Sequence, residues 1–208
     1  MSGEEVSADV AKRVAECRRC ELGKTRTNPV VGEGSLRPKI VFVGEAPGRN
    51  EDLQGRPFVG AAGKLLTELL GSIGLTREDV YITNVLKCRP PGNRDPLPEE
   101  VEACTPFLDE QLRALKPSII ATLGRFSTSY VFSRAGLVFT SMTRLRGRVF
   151  HVELLGFKAS LLPTYHPAAA LYYPKLKDDL ARDFQKLAQL LEAPAQREPR
   201  GVDLSQFM

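Results

Sequence analysis

The sequence predicts an α/β fold with a mainly parallel sheet. Short β-rich runs alternate with helical ones, and polar segments stand directly after the strands, where open α/β sheets carry their sites. The length, 208 residues, fits one domain with short extensions. Taken in order, residues 1–38 hold a short polar helix candidate, a Cys-x-x-Cys pair at Cys17 and Cys20, and a loop rich in Gly, Pro and Asn. They read as a lead-in strapped onto a core, with the cysteine-containing part at 10–38. KIVFVG (39–44) opens the alternation, followed by a helix over 61–74, VYITNVL (80–86), a helix over 97–115, SIIATLG (118–124) and a helix over 125–136. Strands separated by helices imply a parallel sheet covered on both faces. RVFHVEL (148–154) and the run 158–163, joined through Leu155–Phe157, predict a hairpin before a last helix near 175–192. The single domain is therefore placed at 1–193. The Pro-rich, polar segment 194–208 is expected to be a flexible tail.

Composition narrows the function classes. With 42% hydrophobic and 26% charged residues the chain can bury a sizeable core. No apolar run approaches the ~18 to 20 residues of a membrane span, and the polar N-terminus lacks the apolar region of a signal peptide. The expectation is a cytoplasmic protein with no membrane partner. A net charge of +4 leans only weakly toward nucleic acid. Four cysteines without a secretory signal favour metal or redox chemistry over disulfides. Only two histidines are present, His151 and His166, so a His-rich metal site is hard to build.

Two phosphate-loop look-alikes fail. G-x-G-x-x-G would need glycine where Ala46 and Arg49 stand, and G-x-x-x-x-G-K-[ST] would need glycine at Phe58 and a hydroxyl at Leu65. Pro47 inside GEAPG (44–48) fixes φ and removes a donor, giving a rigid rim that suits a flat ligand. Under the strand-end rule, GEAPG, Asn84, LGRF (123–126) and TYHPAA (164–169) converge on one pocket.

Three segments, GEAPGRNEDLQGRPFVGAAGKLL (44–66), YITNVLKCRPPGNRDPLPEE (81–100) and YHPAAAL (165–171), occur in this order together with four cysteines. In these the chain resembles the family 4 uracil-DNA glycosylases, the iron–sulfur type. The resemblance spans about residues 10 to 190. It implies a three-layer α/β/α sandwich with a central, mainly parallel four-stranded sheet, and an enzyme that hydrolyses the N-glycosidic bond of deoxyuridine in DNA and leaves an abasic site. The implied partner is uracil-containing DNA, single- or double-stranded, met by a monomer at the nucleoid.

By resemblance, Cys17, Cys20, Cys88 and Cys104 match the ligands of a structural [4Fe–4S] cluster. From spacing alone four soft thiolates suit either that cluster or tetrahedral zinc. The uracil-binding residues implied are Glu45, Ala46, Pro47, Phe58, Asn84 and His166. Phe58 matches the stacking aromatic, although on its own it also reads as a core residue. Asn84 offers an acceptor for N3–H and a donor for O4, a pattern that cytosine inverts. The catalytic set is His166, aimed at the charge that grows on O2 of the leaving base, with Glu45 or Glu51 activating water. His151 reads as a strand residue without a role.

Lys87, Arg89, Arg94, Arg144, Arg146 and Arg148 are candidate phosphate contacts, and Leu171 or a neighbouring tyrosine is the candidate wedge that fills the gap left by the flipped base. VDLSQFM at the C-terminus faintly resembles a sliding-clamp-binding peptide, anchored by Leu204 and Phe207. Two competing functions stand beside the glycosylase. One is a uracil-DNA capture protein of the same superfamily, whose basic, histidine-containing insertion is missing here. The other is an iron–sulfur redox protein, which leaves GEAPG, Phe58, Asn84 and His166 without purpose.

Overall fold

The structure is a computed structural model that describes residues 3–192. Among these residues the strands are β1 (Glu33–Gly34), β2 (Ile40–Gly44), β3 (Tyr81–Asn84), β4 (Ile119–Leu123), β5 (Phe150–Leu154) and β6 (Phe157–Thr164). The helices are α1 (Gly3–Glu16), α2 (Leu22–Thr25), α3 (Arg49–Gln54), α4 (Ala61–Ser72), α5 (Pro98–Leu115), α6 (Arg125–Arg134), α7 (Met142–Leu145), α8 (Pro167–Tyr172) and α9 (Leu176–Glu192).

The strands form one sheet in the order β1-β3-β2-β4-β6-β5. Its centre, β3-β2-β4-β6, is parallel. Two antiparallel edge strands, β1 and β5, extend it, so the sheet has six strands where four were expected. The additions have local causes. β5 reaches β6 through a tight turn with positive φ at both Leu155 (52°) and Gly156 (83°), the hairpin geometry whose twist matches the sheet. β1 is only two residues long and exists because Glu33 and Gly34 pair with Ile82 and Tyr81.

The central strands are buried on both faces, which is why they read as unbroken apolar runs. Val41, Val43, Ile120 and Leu161 turn toward the layer of α1, α5 and α6, where Phe107, Leu108, Leu112 and Phe132 meet them. Ile40, Phe42, Ile82 and Leu162 turn toward α4, α8 and α9. From α4 come Leu65, Leu66, Leu69 and Leu70, and from α9 Leu180, Phe184 and Leu187, each set on one helical face. Each such fully buried side chain contributes roughly 1.5–3 kcal/mol. The result is helix, sheet, helix, with the carboxyl ends of β2, β3, β4 and β6 at one edge.

Helix starts bring the polar motifs to that edge. α6 follows β4 through Gly124, whose φ of 91° lets the chain turn at once. α8 follows β6 with His166 as N-cap and Pro167 in its first turn. α5 begins after Leu97, whose N–H donates to the Glu100 carboxylate at 2.9 Å.

Candidate active site

A cleft of about 390 Å³ opens at this edge, lined by Glu45, Ala46, Pro47, Glu51, Phe58, Asn84 and His166 among others. All six residues expected to bind a base therefore face one space. Asn84 ends β3 beside Gly44 of β2. It is 1% exposed, and its Oδ1 is, among the described residues, the one buried side-chain polar atom left without a partner. An orphaned buried acceptor costs about 1–3 kcal/mol unless a ligand satisfies it. Room for it depends on Gly44, where a Cβ would lie 2.3 Å from that Oδ1 and 2.7 Å from the Phe58 ring.

His166 stands across the cleft with its ring against Phe58, centroids 5.4 Å apart and planes 27° from parallel. Its Nδ1 accepts the N–H of Ala168 at 3.1 Å, which puts the ring proton on Nε2. Burial pushes the imidazole down to about 4, against a smaller opposing pull from Glu51. At neutral pH it is an uncharged N–H donor.

Glu45 follows β2, its backbone carbonyl accepting from Leu86 N–H at 2.9 Å. Burial, with a further push from Asp95 that Arg125 partly offsets, raises its carboxyl to about 7. Glu51, in α3, is differently placed. Its Oε1 accepts from the amides of Val59 and Gly60, both at 2.9 Å, so it braces the turn before α4. Of the two acids proposed for water activation, Glu51 is the one anchored to backbone amides.

The four cysteines gather elsewhere. Cys17, Cys20, Cys88 and Cys104 form no disulfide and ring one pocket walled by Val14, Leu22, Leu86 and Phe107. Arg26 donates to Cys88 Sγ at 3.1 Å and the Lys87 amide to Cys104 Sγ at 3.2 Å, as donors do around metal-bound thiolates. Burial pushes the Cys104 thiol up to about 12 and raises that of Cys88. A buried thiolate there needs a positive centre to hold it ionised, and four soft donors in an apolar wall fit such a centre. Among the described residues no three His, Cys, Asp or Glu side chains close around a single ion.

The model of the uracil DNA glycosylase superfamily matches residues 31–191. The chain is 56% identical over 182 residues to the type-4 uracil-DNA glycosylase of Archaeoglobus fulgidus, covering 88% of this chain and 92% of that one. To the type-4 enzyme of Saccharolobus solfataricus it is 50% identical over 185 residues, 88% and 86% of the two chains. To the type-5 enzyme of Mycobacterium tuberculosis it is 32% identical over 182 residues, 77% and 67%. The chain belongs to the type-4 uracil-DNA glycosylases.

In a glycosylase of this type, cations that can reach DNA matter, and the candidates differ in exposure and partners. Arg144 and Arg148 are exposed, Arg148 lying over the Phe150 ring at 5.3 Å. Arg89 is half-buried, its Nε donating to Asn93 Oδ1 at 2.7 Å. Two further candidates, Arg146 and Arg94, hold partners within the protein, and the Lys87 candidate is corrected because its side chain is enclosed. Arg146 donates to Asp183 at 2.9 and 3.2 Å and to the Asp179 carbonyl at 3.0 Å, tying the end of α7 to α9. Arg94 forms a two-pronged pair with buried Glu100. Lys87 is 0% exposed, and its Nζ donates to Thr83 Oγ1, the Asn84 carbonyl and Gln111 Oε1 at 2.6–2.8 Å. Leu171, Tyr172 and Tyr173 are exposed where α8 ends. The clamp-like VDLSQFM, with Leu204 and Phe207, and the tail 194–208 lie outside the described residues. Sequence reading missed Arg77, whose guanidinium meets the Phe58 carbonyl. An arginine in a polar turn carries no signal of its own.

Proposed function

We propose that this chain is a monofunctional uracil-DNA glycosylase that uses Phe58, Asn84, His166 and Glu45 on a uracil flipped from DNA. The carrying observation is the buried, unpartnered Oδ1 of Asn84 in a cleft with a neutral His166 N–H. Uracil supplies what that oxygen lacks, an N3–H donor, and the same amide's NH₂ suits O4. Cytosine presents an unprotonated N3 and an amino group, leaving like atoms facing each other, and sites of this kind discriminate by roughly 10⁴–10⁵.

In the reaction a water oxygen bonds to C1′ as the C1′–N1 bond breaks. The water proton passes to the Glu45 carboxylate, and the bond pair leaves on uracil as its anion. His166 Nε2–H faces the charge on O2, an interaction stronger in the transition state than in the ground state. Phe58 supplies the stacking wall, Ala46 and Pro47 the rim, and Glu51 keeps the loop amides in place. Cys17, Cys20, Cys88 and Cys104 hold a [4Fe–4S] cluster whose contribution is structural. Arg89, Arg144 and Arg148 position phosphates, and Leu171 is the wedge. The protein acts as a monomer at the nucleoid, with the tail reaching a sliding clamp.

The test is incubation with an end-labelled duplex carrying one U·G pair, without added metal or nucleotide, then alkali and a denaturing gel. Cleavage at uracil alone is expected, slowed ~10²–10³-fold in His166→Ala and strongly in Asn84→Ala. A shifted covalent species without cleavage would instead identify a capture protein.

A further inference from the structure

Phe58 holds a backbone conformation that an aromatic residue disfavours. Its φ of 51° lies in the left-handed region, which persists in bulky residues only where the surroundings over-determine it. Gly63 is one restraint, since a Cβ there would lie 1.8 Å from the Phe58 carbonyl oxygen. Arg77 is the other. Its Nη1 donates to the Phe58 carbonyl at 3.1 Å and its Nη2 to the Pro57 carbonyl at 2.7 Å.

The guanidinium is itself held. Nε and Nη2 donate to Glu33 Oε1 at 3.1 and 2.5 Å, and Glu33 also receives Arg56 at 2.8 Å. The Arg77 and Glu33 side chains are only 19% and 21% exposed. Both come from backbone built to deliver them. Arg77 sits in a turn fastened by Thr76 N–H and Oγ1, each donating to Asp79 Oδ2 at 2.7 Å. Glu33 precedes Gly34, where a Cβ would lie 1.9 Å from the Val80 carbonyl oxygen, so only glycine lets β1 approach. One planar fork thus joins the edge strand, the turn before β3 and the two carbonyls at the strained aromatic. Arg77 does not line the cleft.

We infer that Arg77 is a positioning residue for base recognition, locking the Pro57–Phe58 carbonyls so that the Phe58 ring stands ready as the stacking wall of the uracil pocket. This rests on the stacking role proposed above for Phe58. A ring already in place loses little freedom when the base arrives, so the effect falls on binding of the base more than on the bond-breaking step. Lysine cannot replace it, because a point charge does not serve two carbonyls and a carboxylate in one plane.

The experiment measures inhibition by free uracil, together with KM and kcat on uracil-containing DNA, in Arg77→Met, Arg77→Lys, Phe58→Ala and the Arg77→Met/Phe58→Ala double variant. Arg77→Met and Arg77→Lys are expected to weaken uracil inhibition and raise KM about tenfold, the scale of lost charge-assisted hydrogen bonds, with kcat changed less. In the Phe58→Ala background Arg77→Met should add nothing. Should Arg77→Met not fold, Arg77→Lys, which keeps the charge beside Glu33, carries the same prediction. Unchanged uracil inhibition in a folded Arg77 variant overturns the proposal, as does an undiminished loss in the double variant. Unchanged inhibition in Phe58→Ala itself overturns the stacking reading and this proposal with it.

Discussion

Glu45 and His166 face one cleft with proton affinities displaced in opposite senses, both by burial of the charged form. Each is thereby kept in the state its role needs. His166, depressed to about 4, stays a neutral donor across the physiological range. Glu45, raised to about 7, is a carboxylate only above neutrality and is then a matched base. The rate should therefore rise with pH through about 7, and Glu45→Gln should remove that limb and lower kcat by about 10²-fold or more. A pH profile of kcat/KM, which reports groups of the free enzyme, checks this in both proteins. Stability runs the other way. A carboxyl whose folded pKa exceeds its unfolded value favours the fold at low pH and loses that contribution as pH rises through the folded value. At pH 8 the ionised, half-buried Glu45 costs about 1–2 kcal/mol once screening by solvent is allowed for. Glu45→Gln should then melt a few degrees higher than the parent at pH 8 and alike at pH 4, a pair of thermal melts that would expose a site maintained against stability.

At the scale of elements, α4 carries two glycines with opposite expectations. A helix gains roughly 0.5–1 kcal/mol when an interior glycine becomes alanine. Gly71 meets nothing within 4 Å of its hypothetical Cβ, so Gly71→Ala should raise the melting temperature. Gly63 faces the Phe58 carbonyl, so Gly63→Ala should cost about 1–3 kcal/mol of overpacking and take uracil release down with it. Comparing melts and activities of the two variants tests whether the helix start or the aromatic turn governs the site. The same contrast explains what could be read from the chain. Segments with a strong apolar pattern, such as the apolar run 39–44 and the amphipathic 97–115, reappear within a residue or two as β2 and α5. β1, α3 and α8 were not legible, because Glu33–Gly34 is a strand only by pairing with β3, and α8 is a helix of six residues that His166 caps. Glu45, Ala46, Pro47, Asn84 and His166 were visible because strand ends must converge, whereas Phe58 and Glu51 were implied only by the family resemblance. The setting of each group was not, since it is the fold that buries Glu45 and brings the Val59 and Gly60 amides to Glu51.

Across the whole molecule the cysteine centre and the cleft are built on different parts of the frame. The cleft stands on the carboxyl ends of the parallel strands, whereas Cys17 and Cys20 belong to the lead-in that α1 packs onto α5, with Arg13 bridging to Glu110. A metal centre at Cys17, Cys20, Cys88 and Cys104 closes the long stretch from Cys20 to Cys88, and a link of that reach removes on the order of 4 kcal/mol of unfolded-chain entropy. Removing a metal held there, by chelation under oxidation, should therefore lower the melting temperature by roughly 10 °C and open residues 17–30 to proteolysis. Inhibition by free uracil should change little, because Phe58, Asn84 and His166 keep their sheet and helix supports. Iron and zinc per chain, measured before and after treatment, say which metal was lost. If uracil inhibition collapsed in step with the metal, the link from the cysteine pocket through buried Lys87 to the Asn84 carbonyl would be part of the recognition machinery, and the separation of the two centres argued here would be wrong.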